Sequence, residues 1–198
     1  MDSLRQRYNE ILSRMEQAAL RAKRDSKDIT LVCVSKKQSV ESMKALEAIY
    51  AENATAPVFG ENYVQEIKAK RPELDAQSKI HLIGPLQSNK VKEAVALCDT
   101  IESVHSEKIL KIINHEAEKL GKVQSIYLQV NISQDVQKSG FLESDLSRVL
   151  PILPQLSFLS LKGLMTITQW YDKAELARPD FAKMFEVRRK LIINFPEY

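Results

Sequence analysis

The stretch ITLVCVSKKQSVESMKALEAIY, residues 29–50, joins two patterns that decide the fold. Residues 29–35 are apolar and rich in β-branched side chains, which is typical of a strand buried on both faces. Ser39 then precedes apolar residues at steps of three and four, which predicts a helix capped at that serine and running to about residue 50. A buried strand followed at once by an amphipathic helix is a βα unit.

The same unit recurs along the whole chain. The expected strands cover residues 29–35, 57–60, 79–84, 100–104, 124–131 and 159–166. The expected helices cover residues 39–50, 62–71, 88–97, 106–120, 143–153 and 179–195, after a leading helix over 3–23. The repeat length is about 26 residues, the size of one βα unit. Alternating βα units predict a parallel sheet, either doubly wound or closed into a barrel.

A barrel fits the repeat better than a dinucleotide-binding fold. The first expected strand is followed by Lys36, Lys37 and Gln38 rather than by a glycine-rich turn. A TIM-type (β/α)8 barrel typically needs about 250 residues, and this chain has 198. We therefore expect a single domain over residues 1–198, of (β/α)8 type but lacking its last two strands, with the leading helix in residues 1–24 covering the barrel bottom.

Composition excludes several classes of protein. Basic residues number 29 and acidic residues 26, a net charge of +3 that provides no basic face for nucleic acid. No apolar run approaches the roughly 18–20 residues of a membrane span, and the polar first residues are unlike a secretory signal. Cys33 and Cys98 lack metal-ligand spacing. We expect a cytoplasmic monomer without a metal.

In parallel α/β folds, functional side chains lie where strands end. Lys36 leaves the first apolar run, and partial burial there would lower the pKa of its amine and free it to attack an aldehyde. Position alone favours the alternative that Lys36 is a solvated loop lysine beside Lys37. Asn62 offers hydrogen bonds after the second strand but is equally suited to cap the following helix. His81 is expected to be a satisfied core residue.

Six segments, in order and across residues 34–167, carry a family resemblance. They are VSK (34–36), FGENYVQE (59–66), HLIGPLQSNK (81–90), VNIS (130–133), KSG (138–140) and GLMTI (163–167). Together they resemble the pyridoxal phosphate homeostasis proteins. The pairing of FGENYVQE with IGPLQSNK is highly specific.

The resemblance implies a barrel like the N-terminal domain of alanine racemase. It implies pyridoxal 5′-phosphate (PLP) held as a Schiff base on Lys36 and released by transimination. It also implies a role in controlling free PLP, generally without a demonstrated catalytic turnover. It also implies that Asn62, Asn131 and Met165 line the cofactor pocket, and that PLP-dependent apo-enzymes are possible recipients. In the family, two further strands follow the position of Tyr198, and their glycine-rich turns bind the phosphate. We therefore expect these phosphate-binding units to be absent, and PLP to bind weakly through Lys36 alone or not at all.

Two enzymatic alternatives remain open. A PLP-dependent amino acid racemase would need a second acid–base group on the opposite face of the cofactor, which in alanine racemase comes from another domain. A class I aldolase-like enzyme would need carboxylate and tyrosine groups deeper in the barrel. The residues within the expected strands are apolar and do not supply these groups, so the aldolase is the third of the three candidate functions.

Overall fold

The computed structural model describes residues 2–133 and 138–195. Its strands are β1 (Val32–Val34), β2 (Val58–Glu61), β3 (Lys79–Leu82), β4 (Thr100–Val104), β5 (Gln124–Gln129) and β6 (Leu159–Met165). Its α-helices are α1 (Asp2–Arg21), α2 (Val40–Ala51), α3 (Val64–Lys70), α4 (Val91–Leu97), α5 (Glu107–Lys119), α6 (Glu143–Val149) and α7 (Arg178–Asn194). All six predicted units, with the leading helix, are confirmed. No helix in this part of the chain is both long enough and apolar enough to cross a membrane.

The strands form one parallel sheet in the order β1-β2-β3-β4-β5-β6. Sequential neighbours joined by helices are the order of a barrel wall. Val32 of β1 and Met165 of β6 line the same cavity of about 440 Å³, so the sheet curves to enclose a common interior. β1 and β6 are the two edges of the sheet within the described residues, which gives an open barrel.

The outer face of the sheet packs against the helices and forms the main core. Alternation along each strand sends every second side chain outward. Ile80 and Leu82 of β3, Ile101 of β4 and Leu110 and Ile113 of α5 are almost completely buried there. Gly121 ends α5 with a φ of 58°, a left-handed conformation typical of the residue after a helix.

The inner face of the sheet is more polar than the sequence predicted. His81 and Glu102 lie 2.6 Å apart, from Nδ1 to Oε1, and both line the interior cavity together with Tyr127. The expectation of apolar strand interiors was therefore wrong. Side chains alternate between the two faces of a strand, and these polar residues occupy positions that face the barrel interior. His81 is satisfied, as expected, and its partner is the Glu102 carboxylate.

The leading helix α1 lies alongside α2. The rings of Tyr8 and Tyr50 are 5.0 Å apart, and Arg5 forms an ion pair with Glu52. It is the segment after the helix, residues 24–30, that reaches the interior cavity near the start of β1. The covering of the barrel bottom by α1 stays a prediction.

Most predicted boundaries shift by one to four residues, and two of the larger shifts have a local explanation. A short 3₁₀ turn over Ser26–Asp28, capped by Asp25, keeps residues 29–31 out of β1. The helix expected over 143–153 ends at Val149 and continues as a 3₁₀ helix over Leu150–Gln155. Two prolines in that second stretch lack the N–H that an α-helix requires, which explains the change.

Candidate functional site

Lys36 lies in a tight turn directly after β1, at the carboxyl edge of the sheet. The Ser35 N–H donates to the Gly60 carbonyl (2.9 Å), which extends the pairing of β1 with β2 by one residue. The Gln38 N–H donates back to the Ser35 carbonyl (3.0 Å) and closes the turn. Lys37 has a φ of 58°, an uncommon left-handed conformation for a residue with a side chain.

The Lys36 side chain is exposed. The Ser35 hydroxyl donates to Glu61 Oε1 at the end of β2 (2.7 Å), and Lys36 follows in the turn beyond β1. The partial burial expected for Lys36 was wrong, because residue 36 lies in an exposed turn beyond the end of β1. Within residues 2–133 and 138–195 the Lys36 amine has no hydrogen-bond or ion-pair partner.

Asn62 follows β2 at the level of Lys36. The pairing of Val34 with Gly60 places Lys36 and Asn62 two residues further along neighbouring strands. The helix cap expected at Asn62 was wrong: Tyr63 is the first flanking residue of α3. Gly84 allows the end of β3 to approach this point, because a methyl group there would lie 2.3 Å from the Asn62 carbonyl oxygen.

Asn131 and Met165 lie near each other at the other end of the same edge. Met165 is the last residue of β6, and its carbonyl accepts from the Val130 N–H (2.8 Å) just beyond β5. Asn131 is buried, and its side-chain amide donates to the Lys138 carbonyl (3.3 Å). The structure thus groups the four predicted residues into two pairs on one edge, Lys36 with Asn62 and Asn131 with Met165.

A buried ion cluster behind the Lys36 turn escaped the sequence analysis. Lys70, the last residue of α3, is only 8% exposed, and Glu61, the last residue of β2, is completely buried. The Lys70 ammonium donates to Glu61 Oε1 (2.8 Å), to Glu66 Oε2 (2.7 Å) and to the Ser35 carbonyl (2.9 Å). The spacing of Glu66 and Lys70, four residues apart just after Glu61, was the signal that could have revealed it.

The charges of this cluster reinforce one another. Burial acts to lower the pKa of the Lys70 ammonium, but the hydrogen bonds to Glu61 and Glu66 outweigh it and raise that pKa above its ordinary value. The hydrogen bond from Lys70, helped by the Lys37 N–H, lowers the pKa of the Glu66 carboxyl. Both groups are therefore charged near neutral pH, and the cluster is a fixed structural feature.

The remaining reactive side chains do not form a second centre. Within the described ranges, no group of three or more His, Cys, Asp or Glu residues could hold a metal ion. Burial raises the pKa of the Cys98 thiol to about 12 and also raises that of Cys33. His105 binds the Ser103 carbonyl (3.0 Å) through Nδ1. Trp170, in the loop after β6, is 87% exposed. What this edge offers chemically is an accessible primary amine, which can condense with an aldehyde.

Comparison with known proteins finds the same fold and sequence pattern. The sequence model of the alanine racemase N-terminal domain family matches residues 7–196. The pyridoxal phosphate homeostasis protein of Vibrio alginolyticus is 31% identical, and the match covers 100% of this chain and 84% of that protein. The protein of the same name from Schizosaccharomyces pombe is 32% identical, with 91% and 73% covered.

Solved structures agree with these matches. PipY of Synechococcus elongatus, solved with PLP bound, is 30% identical with a TM-score of 0.77, and the match covers 93% of this chain and 84% of PipY. An alanine racemase of Clostridium difficile, at 18% identity and a TM-score of 0.65, covers 82% of this chain and 43% of its own and shares the fold. This chain therefore belongs to the pyridoxal phosphate homeostasis protein family, with the fold of the alanine racemase N-terminal domain.

Proposed function

We propose that this chain binds PLP, holds it as a Schiff base on Lys36, and takes part in controlling the free cofactor. The observation that carries the proposal is the position of Lys36: an exposed amine without a described partner, at the carboxyl edge of a barrel-type sheet. Two comparisons support it, namely the shared name of the relatives and the PLP bound to PipY.

The residues at this edge suit the chemistry of PLP. When bound, PLP supplies an aldehyde that condenses reversibly with a primary amine, with release of water. Lys36 provides that amine, while Asn62 and Asn131 provide carboxamides that can hydrogen-bond to polar ring substituents. Met165 provides a thioether, which contacts aromatic rings favourably. The Ser133 hydroxyl is buried without a hydrogen-bond partner among the described residues and lies just beyond Asn131.

The exposure of Lys36 favours release of the cofactor over catalysis. An incoming amine can reach the carbon bonded to Lys36 Nζ and displace the lysine by transimination. We propose that PLP-dependent apo-enzymes in the cytoplasm receive the cofactor in this way, and that the chain acts as a monomer. Its charge balance and its exposed lysine are compatible with this role.

A PLP titration tests the proposal. We expect wild type to develop the visible absorbance of an imine and Lys36→Ala to lose it. Lys37→Ala, the matched control from the same turn, should keep the band because only its exposed side chain changes. A band of equal strength in Lys36→Ala, or its absence from folded wild type, would refute the proposal. Exchange of the α-proton of an amino acid that depends on Lys36 would instead favour a racemase-like enzyme.

A further inference from the structure

The Lys36 turn is held by side chains on both sides of the lysine. On one side, the Ser35 carbonyl accepts from the Lys70 ammonium (2.9 Å) and the Ser35 hydroxyl donates to Glu61 (2.7 Å). On the other side, the Lys37 N–H donates to Glu66 Oε2 (2.8 Å). Lys36 itself is left exposed between these two attachments.

We propose that Lys70, Glu61 and Glu66 are positioning residues, which fix the turn so that the Lys36 amine is presented at the barrel mouth. The inference rests on the proposed function of Lys36 and assigns a role to three residues that do not touch the reacting amine. The network links β1, β2 and α3 through a single ammonium group, so it couples the turn to the rigid part of the fold.

The conformation of Lys37 explains why the turn needs this support. A left-handed φ of 58° is unfavourable for an L-residue with a side chain, so the isolated turn would relax towards other conformations. The hydrogen bond from the Lys37 N–H to Glu66 opposes that relaxation directly. Lys70 in turn keeps Glu66 in place, because its ammonium lies 2.7 Å from the same carboxylate oxygen.

Burial explains why the network is rigid. Glu61 and Lys70 are almost inaccessible to water, so neither can exchange its partner for solvent without a large desolvation penalty. The Glu66 side chain is 26% exposed and forms the accessible end of the cluster. Substitution of Glu66 therefore removes the hydrogen bond to the Lys37 N–H without leaving a fully buried charge unpaired. Lys70 still has Glu61 as its partner.

The test compares Glu66→Ala with Glu66→Gln and with Lys68→Met. The glutamine keeps an oxygen that can accept from the Lys37 N–H, and it serves as the conservative rescue. Lys68 lies on the same helix, its side chain is 67% exposed, and its described ion pair is with Glu93 rather than with a network residue, so Lys68→Met is the matched control. Two quantities are measured: amide hydrogen exchange of residues 35–38 in the chain without PLP, and the rate of imine formation on addition of PLP.

In Glu66→Ala we expect the Lys37 amide to exchange about tenfold faster and the imine to form about tenfold more slowly, because misplaced reacting groups lose rate. Glu66→Gln should recover most of both losses, and Lys68→Met should match wild type. Unchanged exchange and unchanged imine formation in folded Glu66→Ala would overturn the proposal, even if its melting temperature fell. The exchange measurement needs no PLP. If wild type failed to bind PLP, the proposed function would be refuted, whereas the exchange rates would still test whether Glu66 supports the turn.

Discussion

Replacement of Lys70 by methionine should destabilise the chain more strongly than any exposed lysine substitution. Methionine matches the lysine stem in size but removes the ammonium that contacts Glu61, Glu66 and the Ser35 carbonyl. Glu61 is completely buried and would lose the cation that pairs with it. Breaking a buried ion pair from one side typically costs about 3–5 kcal/mol of unfolding free energy.

That cost can be measured by urea denaturation followed by circular dichroism. For a chain of this size each kcal/mol lowers the melting temperature by about 2–4 °C, so Lys70→Met should melt roughly 6–20 °C below wild type. Lys68→Met, which removes only an exposed contact of 3.6 Å with Glu93, should stay within about 0.5 kcal/mol. Adding Glu61→Gln to Lys70→Met should recover part of the loss, because the neutral amide no longer leaves a buried charge unpaired.

The difference between wild type and Lys70→Met also depends on pH. The pKa of Glu66 is lowered from its ordinary 4.5, so its contribution is present above pH 4.5 and is lost as the pH falls through the lowered value. The pKa of Lys70 is raised from its ordinary 10.5, so its contribution is present below pH 10.5 and is lost as the pH rises through the raised value. A Lys70→Met variant within 1 kcal/mol of wild type, in the range of about pH 5–10, would refute this view of the cluster.

Three further predictions follow from single sites. Gly84→Ala should lower the unfolding free energy more than Gly121→Ala, because the new methyl group at residue 84 would lie 2.3 Å from a backbone atom. At Gly121 the space is open, and only the left-handed φ costs about 1–2 kcal/mol. Equal losses of unfolding free energy in urea would contradict this. Ser106→Ala should cost about 0.5–2 kcal/mol in the same assay, because the hydroxyl caps α5, and an unchanged midpoint would argue against the cap. Iodoacetamide at pH 8 should label Cys98 only after unfolding, because a pKa of about 12 leaves about one thiol in ten thousand as thiolate. Labelling is read by peptide mass. Labelling of Cys98 before Cys33 in the native chain would contradict the burial of Cys98.

The architecture was predictable from the sequence because each βα unit carries its own local signals. Residues 100–104 are an example, since the predicted strand and β4 coincide. The order of the strands also follows from the chain, because sequential parallel strands joined by short helices have few alternative arrangements. The residues predicted at the strand ends, Lys36, Asn62, Asn131 and Met165, do lie along one edge of the sheet.

What the sequence did not reveal depends on contacts between distant segments. In the sequence, Lys70 resembles any charged residue at the end of a helix. In the structure, the Ser35 turn, 35 residues earlier in the chain, packs against it, and the Lys70 ammonium becomes the buried centre of the ion cluster. The pairing of His81 with Glu102 likewise depends on the register of β3 with β4. Both strands are short and contain polar residues, so their sequences do not fix that register. The exposure of Lys36 follows from a turn whose left-handed residue is a lysine, a conformation that composition does not indicate.

The most direct test of the central claim is borohydride reduction of the chain after addition of PLP, followed by peptide mass mapping. Reduction converts a Schiff base into a stable secondary amine and so records which lysine held the cofactor. We predict that the label falls on Lys36 and not on its neighbour Lys37, which is also exposed. A label confined to other lysines, or no label on a folded chain, would contradict the assignment of Lys36 as the residue that holds PLP.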